Sequence, residues 1–347
     1  MNILEEIRPD LRTWKPYASA RSLIQNKNDL IFLDANENPF GQWNRYPDPL
    51  QHKLKTALAH IKNISREHIF IGNGSDEVLD LCMRLFCVPG KDKVLVCPPT
   101  YGMYEVLARL NMLDLIQVPL LPEAFTIDID SLRNTIHQHQ PKILILCSPN
   151  NPTGNVLSNI SDIFEFYNGW LLVDEAYIDF CPEKSCFPLL QKFPRLIIIQ
   201  TLSKAWAMAG LRIGMAFAHP DVIRFLNAIK PPYNVNELSM QKAYHYLTEK
   251  KDEFEKNRKI IVQQREELAL RLKDFSFIEK IYPSDANFLL VKSPHSERWK
   301  NFLQKNGIII RDRSSQISNC VRISIGTPEE NSKLIEITRL FEKTELL

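Results

Sequence analysis

The 347-residue chain has no CxxC pair, although it carries seven cysteines, at 82, 87, 97, 147, 181, 186 and 320. An odd number without that spacing reads neither as a disulfide framework nor as a zinc site, so no metal centre is expected. Several lie in apolar runs such as Leu95-Val96-Cys97 and Ile145-Leu146-Cys147, as buried free thiols of a reducing compartment do. Long apolar runs are missing too. Stretches such as Leu196-Ile199 fall far short of the ~18 residues of a membrane span. The opening MNILEEIRPDLRTW has early acids and no apolar signal core, so a cytoplasmic location and no membrane partner are expected. No one sign of charge dominates: 43 Lys+Arg against 41 Asp+Glu gives +2. Such a chain has no long-range pull toward nucleic acid, and any anion it binds must be held locally. There is no internal repeat and no low-complexity tract. With 44% hydrophobic and 24% charged residues, what remains is an ordinary globular mix in a chain long enough for a sizeable core.

Seven short apolar runs recur from residue 69: Ile69-Ile71, Val94-Cys97, Leu115-Val118, Ile143-Cys147, Trp170-Val173, Leu196-Ile199 and Ile213-Ala218. None alternates cleanly, which predicts strands buried on both faces. The stretches 75–86, 101–111, 130–138 and 158–167 between them read as helices. The pattern predicts an α/β fold with a mostly parallel sheet sandwiched by helices. Residues 248–273 form a mixed-charge helix, supported by Asp252 with Lys256 and Glu255 with Lys259. Strand signals at Phe288-Val291, Ile308-Ile310 and Val321-Ile325, then a helix after Pro328, predict a small α+β domain. The division expected is an N-terminal arm over 1–30, a large domain over 31–247, and a connecting helix with the small domain over 248–347.

Ligands of open α/β sheets sit beyond the strand ends, so the residues following each strand carry the chemistry. After the first run comes Gly72-Asn73-Gly74-Ser75-Asp76-Glu77, a glycine turn into a helix N-terminus. Its N–H groups suit a phosphate, although Ser75 and Asp76 are also ordinary helix caps. A dinucleotide fingerprint is disfavoured: Glu77 stands at its third glycine, and the next strand ends in Cys97-Pro98-Pro99 without a ribose-binding acid. Later strands end in Ser148-Pro149-Asn150-Asn151-Pro152-Thr153-Gly154, in Asp174-Glu175-Ala176-Tyr177, and in Thr201-Leu202-Ser203-Lys204 leading to Leu211-Arg212-Ile213-Gly214. Each string alone could be only a turn or a cap.

Together these strings resemble the fold-type I aminotransferases that use pyridoxal 5'-phosphate, and more narrowly the histidinol-phosphate aminotransferases. The resemblance runs over nearly the whole chain. It implies an aspartate-aminotransferase-like fold and a homodimer with shared active sites. Lys204 would form the Schiff base with the cofactor aldehyde, for which an amine must be neutral. Asp174 would keep the pyridine nitrogen protonated. Asn151 and Tyr177 would bond the ring oxygen, and Tyr101 would stack on the ring. Gly74, Ser75, Asp76, Thr201, Ser203 and Arg212 would hold the phosphate. Tyr46 matches a tyrosine that reaches the neighbouring subunit's phosphate. Arg322 matches the arginine that grips the substrate carboxylate, and a guanidinium fork accepts a phosphate equally.

Arg311 and Tyr17 stand where the histidinol-phosphate branch has its phosphate-binding partners, and so does Asn38, at the mouth of the site. The activity implied is transamination between L-histidinol phosphate and 2-oxoglutarate, giving imidazole acetol phosphate and L-glutamate in histidine biosynthesis. An aromatic amino acid aminotransferase remains open as the alternative, and a threonine-phosphate decarboxylase more remotely. A regulator that borrows this domain would carry a DNA-binding domain ahead of it, where only the arm stands. The arm's Trp14-Lys15-Pro16-Tyr17 and the short loop between Arg311 and Arg322 depart from many relatives and bear on substrate preference.

Overall fold

The computed structural model describes residues 3–14 and 30–346, and Tyr17 lies outside them. The apolar runs become β1 (Ile69–Asn73), β2 (Lys93–Val96), β3 (Asp114–Gln117), β4 (Ile143–Cys147), β5 (Trp170–Asp174), β6 (Leu196–Thr201) and β7 (Ile213–Phe217). They form one sheet in the order β1-β7-β6-β5-β4-β2-β3. Only β7 opposes its neighbours, running antiparallel to β1 and β6.

Burial on both faces explains the unbroken hydrophobicity. On β4, Ile143, Ile145 and Cys147 join one apolar cluster, while Leu144 and Leu146 join another on the opposite face. The first cluster is covered by α3 (Ser75–Phe86) and α4 (Met103–Leu110), following α1 (Ile3–Glu6) and α2 (His52–Lys62) in the chain. Phe86 of α3 stacks on Trp170 of β5 with ring centroids 3.9 Å apart. The second cluster takes in Leu54 and Leu58 of α2 and Leu132 and Ile136 of α5 (Ile129–His139).

Within the expected arm, residues 3–14 dock on the large sheet. Ile3, Ile7 and Leu11 are buried against the α3 side of the sheet, and Arg8 N–H donates to the Leu85 carbonyl at 2.9 Å. Glu6 pairs with Lys142 and Arg195.

The helix expected over 158–167 is instead a 3-10 segment, Ile160–Glu165. Asn159 before it is left-handed, and Phe166 after it has already left helical angles, so no α-turn propagates. Two helices follow the sheet, α6 (Pro220–Ile229) and α7 (Glu237–Glu249). The mixed-charge helix is α8 (Lys251–Leu272), separated from α7 by Lys250 at φ −118°, ψ 20°.

A second sheet, entirely antiparallel, has the order β10-β11-β9-β8. Its strands are β8 (Lys280–Ile281), β9 (Phe288–Lys292), β10 (Arg311–Asp312) and β11 (Cys320–Ser324). Pairing starts at Arg311 and not at Ile308. Gly307, at φ +81°, closes α9 (Ser296–Lys305), and Ile308 N–H still bonds back to Leu303. The last helix, α10 (Pro328–Phe341), opens with a capping box between Thr327 and Glu330. Its Leu334 and Phe341 pack with Trp299 beneath this sheet. No helix among the described residues is long and apolar enough to cross a membrane.

Candidate active site

The pocket opens at the carboxyl ends of the parallel strands. Asp174 ends β5, its cross-strand partner Cys147 ends β4, Thr201 ends β6, and the Gly74 turn follows β1. The small sheet closes the other side, where Tyr177 meets Phe288 edge-on at 5.1 Å. Ser75, Asp76, Tyr101, Asn151, Asp174, Tyr177, Thr201, Ser203, Lys204, Arg212 and Arg322 all line it, so eleven of the residues singled out above converge.

Asp174 is buried and held by both oxygens. The Tyr104 hydroxyl donates to Oδ2 at 2.7 Å, and the Ala176 N–H donates to Oδ1 at 3.1 Å. Burial pushes its pKa up to about 6 despite these bonds. Such a carboxylate is poised to accept a cationic partner, which would repay its desolvation.

The α3 N-terminus forms an anion cradle. Gly74 lies at φ +84°, and a Cβ there would come within 2.6 Å of Arg212 Nη2. A Cβ on Gly214 would collide with the Gly74–Ser75 peptide. Arg212 itself is left-handed, at φ +56°, which side chains of its bulk adopt rarely. The structure holds that conformation where the guanidinium meets the glycine turn. Thr201 Oγ1 bonds both Ser203 Oγ, at 2.9 Å, and the Ile213 carbonyl, tying the Lys204 loop to the same cradle. The Asp76 carboxylate lies 3.9 Å from Arg212 and accepts from the Tyr101 hydroxyl at 3.3 Å.

Lys204 Nζ stands 5.5 Å from the Tyr177 ring centroid. Desolvation in the cleft and then repulsion from Arg322 draw its pKa down, against Asp174 and Asp76. Burial pushes the Tyr177 phenol well up and the Tyr101 phenol to about 12, so both are donors at neutral pH. Arg322 Nη1 donates to Asn151 Oδ1 and its guanidinium lies 5.2 Å over the Phe288 ring.

Among the described residues, four expected ones do not line this pocket: Gly74, whose turn flanks it, and Tyr46, Asn38 and Arg311. Tyr46 is half exposed and stacks on Tyr233 at 4.4 Å, beside a separate cleft. Asn38 is exposed and accepts from the Phe40 N–H within its own turn. Arg311 is exposed, in register with Arg322 across the β10–β11 pair. Tyr17 lies outside the described residues. Three residues had no sequence signal as site members. Tyr104 reads as a core aromatic, Cys147 as a buried thiol, and Arg313 as part of a charged turn, yet the last two line the pocket and the first holds Asp174.

Residues 18–337 match the family described as aminotransferase class I and II. The histidinol-phosphate aminotransferase of Cytophaga hutchinsonii is 45% identical over 344 residues, covering 96% of this chain and 98% of that protein. The chain belongs to the histidinol-phosphate aminotransferase family. The enzyme of that name from Flavobacterium psychrophilum is 46% identical, over 97% of this chain and 98% of its own. Among solved structures, the histidinol-phosphate aminotransferase of Sinorhizobium meliloti in complex with pyridoxal-5'-phosphate aligns with a TM-score of 0.76. It is 24% identical and covers 86% of this chain and 84% of its own. The family's fold, a mostly parallel seven-stranded sheet with helices and a small antiparallel sheet, is the fold seen here. The pocket also fits a phosphorylated pyridine on its own evidence. The glycine turn leaves room that a Cβ would fill, an arginine faces it, and a buried carboxylate lies in the same pocket without a cation bonded to it among the described residues.

Proposed function

We propose that this chain transfers the amino group between L-histidinol phosphate and 2-oxoglutarate, giving imidazole acetol phosphate and L-glutamate, with pyridoxal 5'-phosphate as cofactor. The observation that carries this reading is the convergence in one pocket of Lys204, buried Asp174, the α3 cradle and two guanidinium groups. When bound, the cofactor supplies an electron-withdrawing ring that stabilises negative charge at the substrate carbon beside the nitrogen.

The chain's residues do the rest. The N–H groups of Gly74, Ser75 and Asp76, with Thr201, Ser203 and Arg212, bind the cofactor phosphate. Tyr101 would hold the ring face, and Asn151 and Tyr177 would hold the ring oxygen. Asp174 would keep a proton on the ring nitrogen. Lys204, its pKa drawn down chiefly by desolvation, would hold the cofactor and move a proton at the substrate carbon. Arg322 binds the substrate's anion, carboxylate or phosphate. Tyr17, Asn38 and Arg311 complete the substrate side of this reading.

A homodimer belongs to the same reading, with Tyr46 reaching the neighbour's cofactor phosphate. So does the division into 1–30, 31–247 and 248–347, which the break at Lys250 supports. Seven free thiols, six of them buried, favour the reducing cytoplasm.

The test is glutamate formation from histidinol phosphate and 2-oxoglutarate by purified protein. Turnover of phenylalanine or tyrosine without turnover of histidinol phosphate would overturn the substrate. Lys204→Ala should abolish turnover and leave the melting temperature near that of the parent apoprotein. Residual turnover in that variant would remove Lys204 from the chemistry.

A further inference from the structure

The pocket holds one arginine that the functional reading does not use. Arg313 continues the β10–β11 ladder, its N–H donating to the Cys320 carbonyl at 2.9 Å. Side chains alternate along a strand, and cross-strand partners share a face. Arg311 faces Arg322 in register, and Arg313 lies two residues on, so all three arginines occupy one face of the hairpin. Asp312 lies on the other face, where it pairs with Lys300 at 3.6 Å. Among the described residues none of the three arginines has a carboxylate partner.

Like charges set side by side on a sheet are unfavourable. A fold retains such a cluster where an anion relieves it. Arg311 is exposed at the hairpin and does not line the Lys204 pocket, whereas Arg313 and Arg322 both do. The Nε–H groups of these two are buried and have no acceptor. Buried donors are nearly always satisfied, so each marks a place for a ligand oxygen. Two guanidinium forks offer more donors than a two-oxygen carboxylate can accept. A phosphate monoester, with three free oxygens and up to two charges, matches them.

We propose that Arg313 discriminates the phosphate-bearing substrate from the carboxylate-bearing one, closing with Arg322 as a two-guanidinium clamp on the phosphate. This rests on the function proposed above. The phosphate of histidinol phosphate lies one carbon further out than the α-carboxylate of glutamate. Arg322 serves both anions, and Arg313 reaches only the larger and more charged one.

The holoenzyme and its Arg313→Gln and Arg313→Lys variants would be compared on histidinol phosphate and on L-glutamate separately. Inhibition by inorganic phosphate would be measured in phosphate-free buffer. Loss of a charge-assisted fork should raise KM for histidinol phosphate by about 10–100-fold in Arg313→Gln. The same variant should keep kcat within about twofold and kcat/KM for glutamate within about threefold, because the lost interaction is binding of one substrate. Phosphate inhibition should weaken in parallel, and Arg313→Lys should lie between. Equal losses on both substrates, or an unchanged KM for histidinol phosphate, overturn the clamp. If the parent enzyme turns over only another amine donor, the functional reading fails. Phosphate inhibition of that reaction then decides the clamp alone, weaker in Arg313→Gln supporting it and unchanged refuting it. Should Arg313→Gln not fold, the Arg313→Lys comparison carries the same two outcomes.

Discussion

Asp174 shows what a single buried charge does to this molecule. Its pKa is raised from 3.8 to about 6, with burial the leading cause. Between about pH 4 and about pH 6 the folded chain holds a proton that the unfolded chain has released. Stability therefore falls as pH rises through that window, and the full penalty of about 3 kcal/mol stands above it. Apoprotein carrying Asp174→Asn should accordingly melt higher than the parent above about pH 6 and converge with it near pH 4. Melts of both apoproteins across that range check this, and a gap that widened toward acid would refute the sign. Tyr104 is the counterweight. Tyr104→Phe keeps the buried ring but removes the 2.7 Å bond to Oδ2, so Asp174 should titrate higher still. We expect kcat to fall about tenfold and the acid limb of its pH profile to move up, as losing a hydrogen bond to a charged group implies. An unmoved profile would reduce Tyr104 to a packing residue. Asp174 and Lys204 are legible in the chain because each follows an apolar run at a strand's end. Tyr104 is not, because its hydroxyl finds Asp174 across 70 residues and its ring is as buried as any core aromatic. Arg313 is hidden for a similar reason, since only the hairpin register sets it beside Arg322.

At the scale of elements, the strands are the most readable part, because burial on both faces leaves an unbroken apolar run in the sequence. Two short elements were not readable. Ile160–Glu165 has apolar residues at helical spacing but closes as 3-10 turns between a left-handed Asn159 and Phe166. Ile308 and Ile310 read as a strand, yet their apolarity serves packing against the Trp299 cluster while pairing waits for Arg311. The β1–α3 turn is where element geometry and chemistry coincide. Gly74→Ala forces a Cβ into a left-handed position and against Arg212. Strain of roughly 1–2 kcal/mol, all of it at the proposed phosphate cradle, should lower cofactor affinity about tenfold or more. Cofactor release followed by absorbance measures it. Affinity equal to the parent's would mean that the phosphate is held elsewhere.

At the scale of the whole molecule, the pocket belongs to neither sheet alone. Arg322 comes from the small sheet and bonds Asn151 beyond the large one, and Gln316 reaches the Thr100 carbonyl beside it. The stretch before the first sheet points outward instead: Ile31, Leu33 and Phe40 are each more than four-fifths exposed, and Trp43 more than half. Trp43 and Tyr46 line an open cleft with Leu238 and Gln241 of α7. Apolar residues left out in this way mark a contact surface, and the proposed dimer supplies the occupant. Two substitutions separate assembly from chemistry. Trp43→Glu places a charge in the contact and should give monomers by sedimentation, with cofactor retention falling as the neighbour's Tyr46 withdraws. Tyr46→Phe should leave the dimer intact and still weaken retention by about 10–100-fold, because it deletes one bond to a charged phosphate. A parent protein that sediments as a fully active monomer would refute the shared site. A Tyr46→Phe dimer that holds its cofactor as tightly as the parent would leave the interface standing while removing Tyr46 from it as a phosphate ligand.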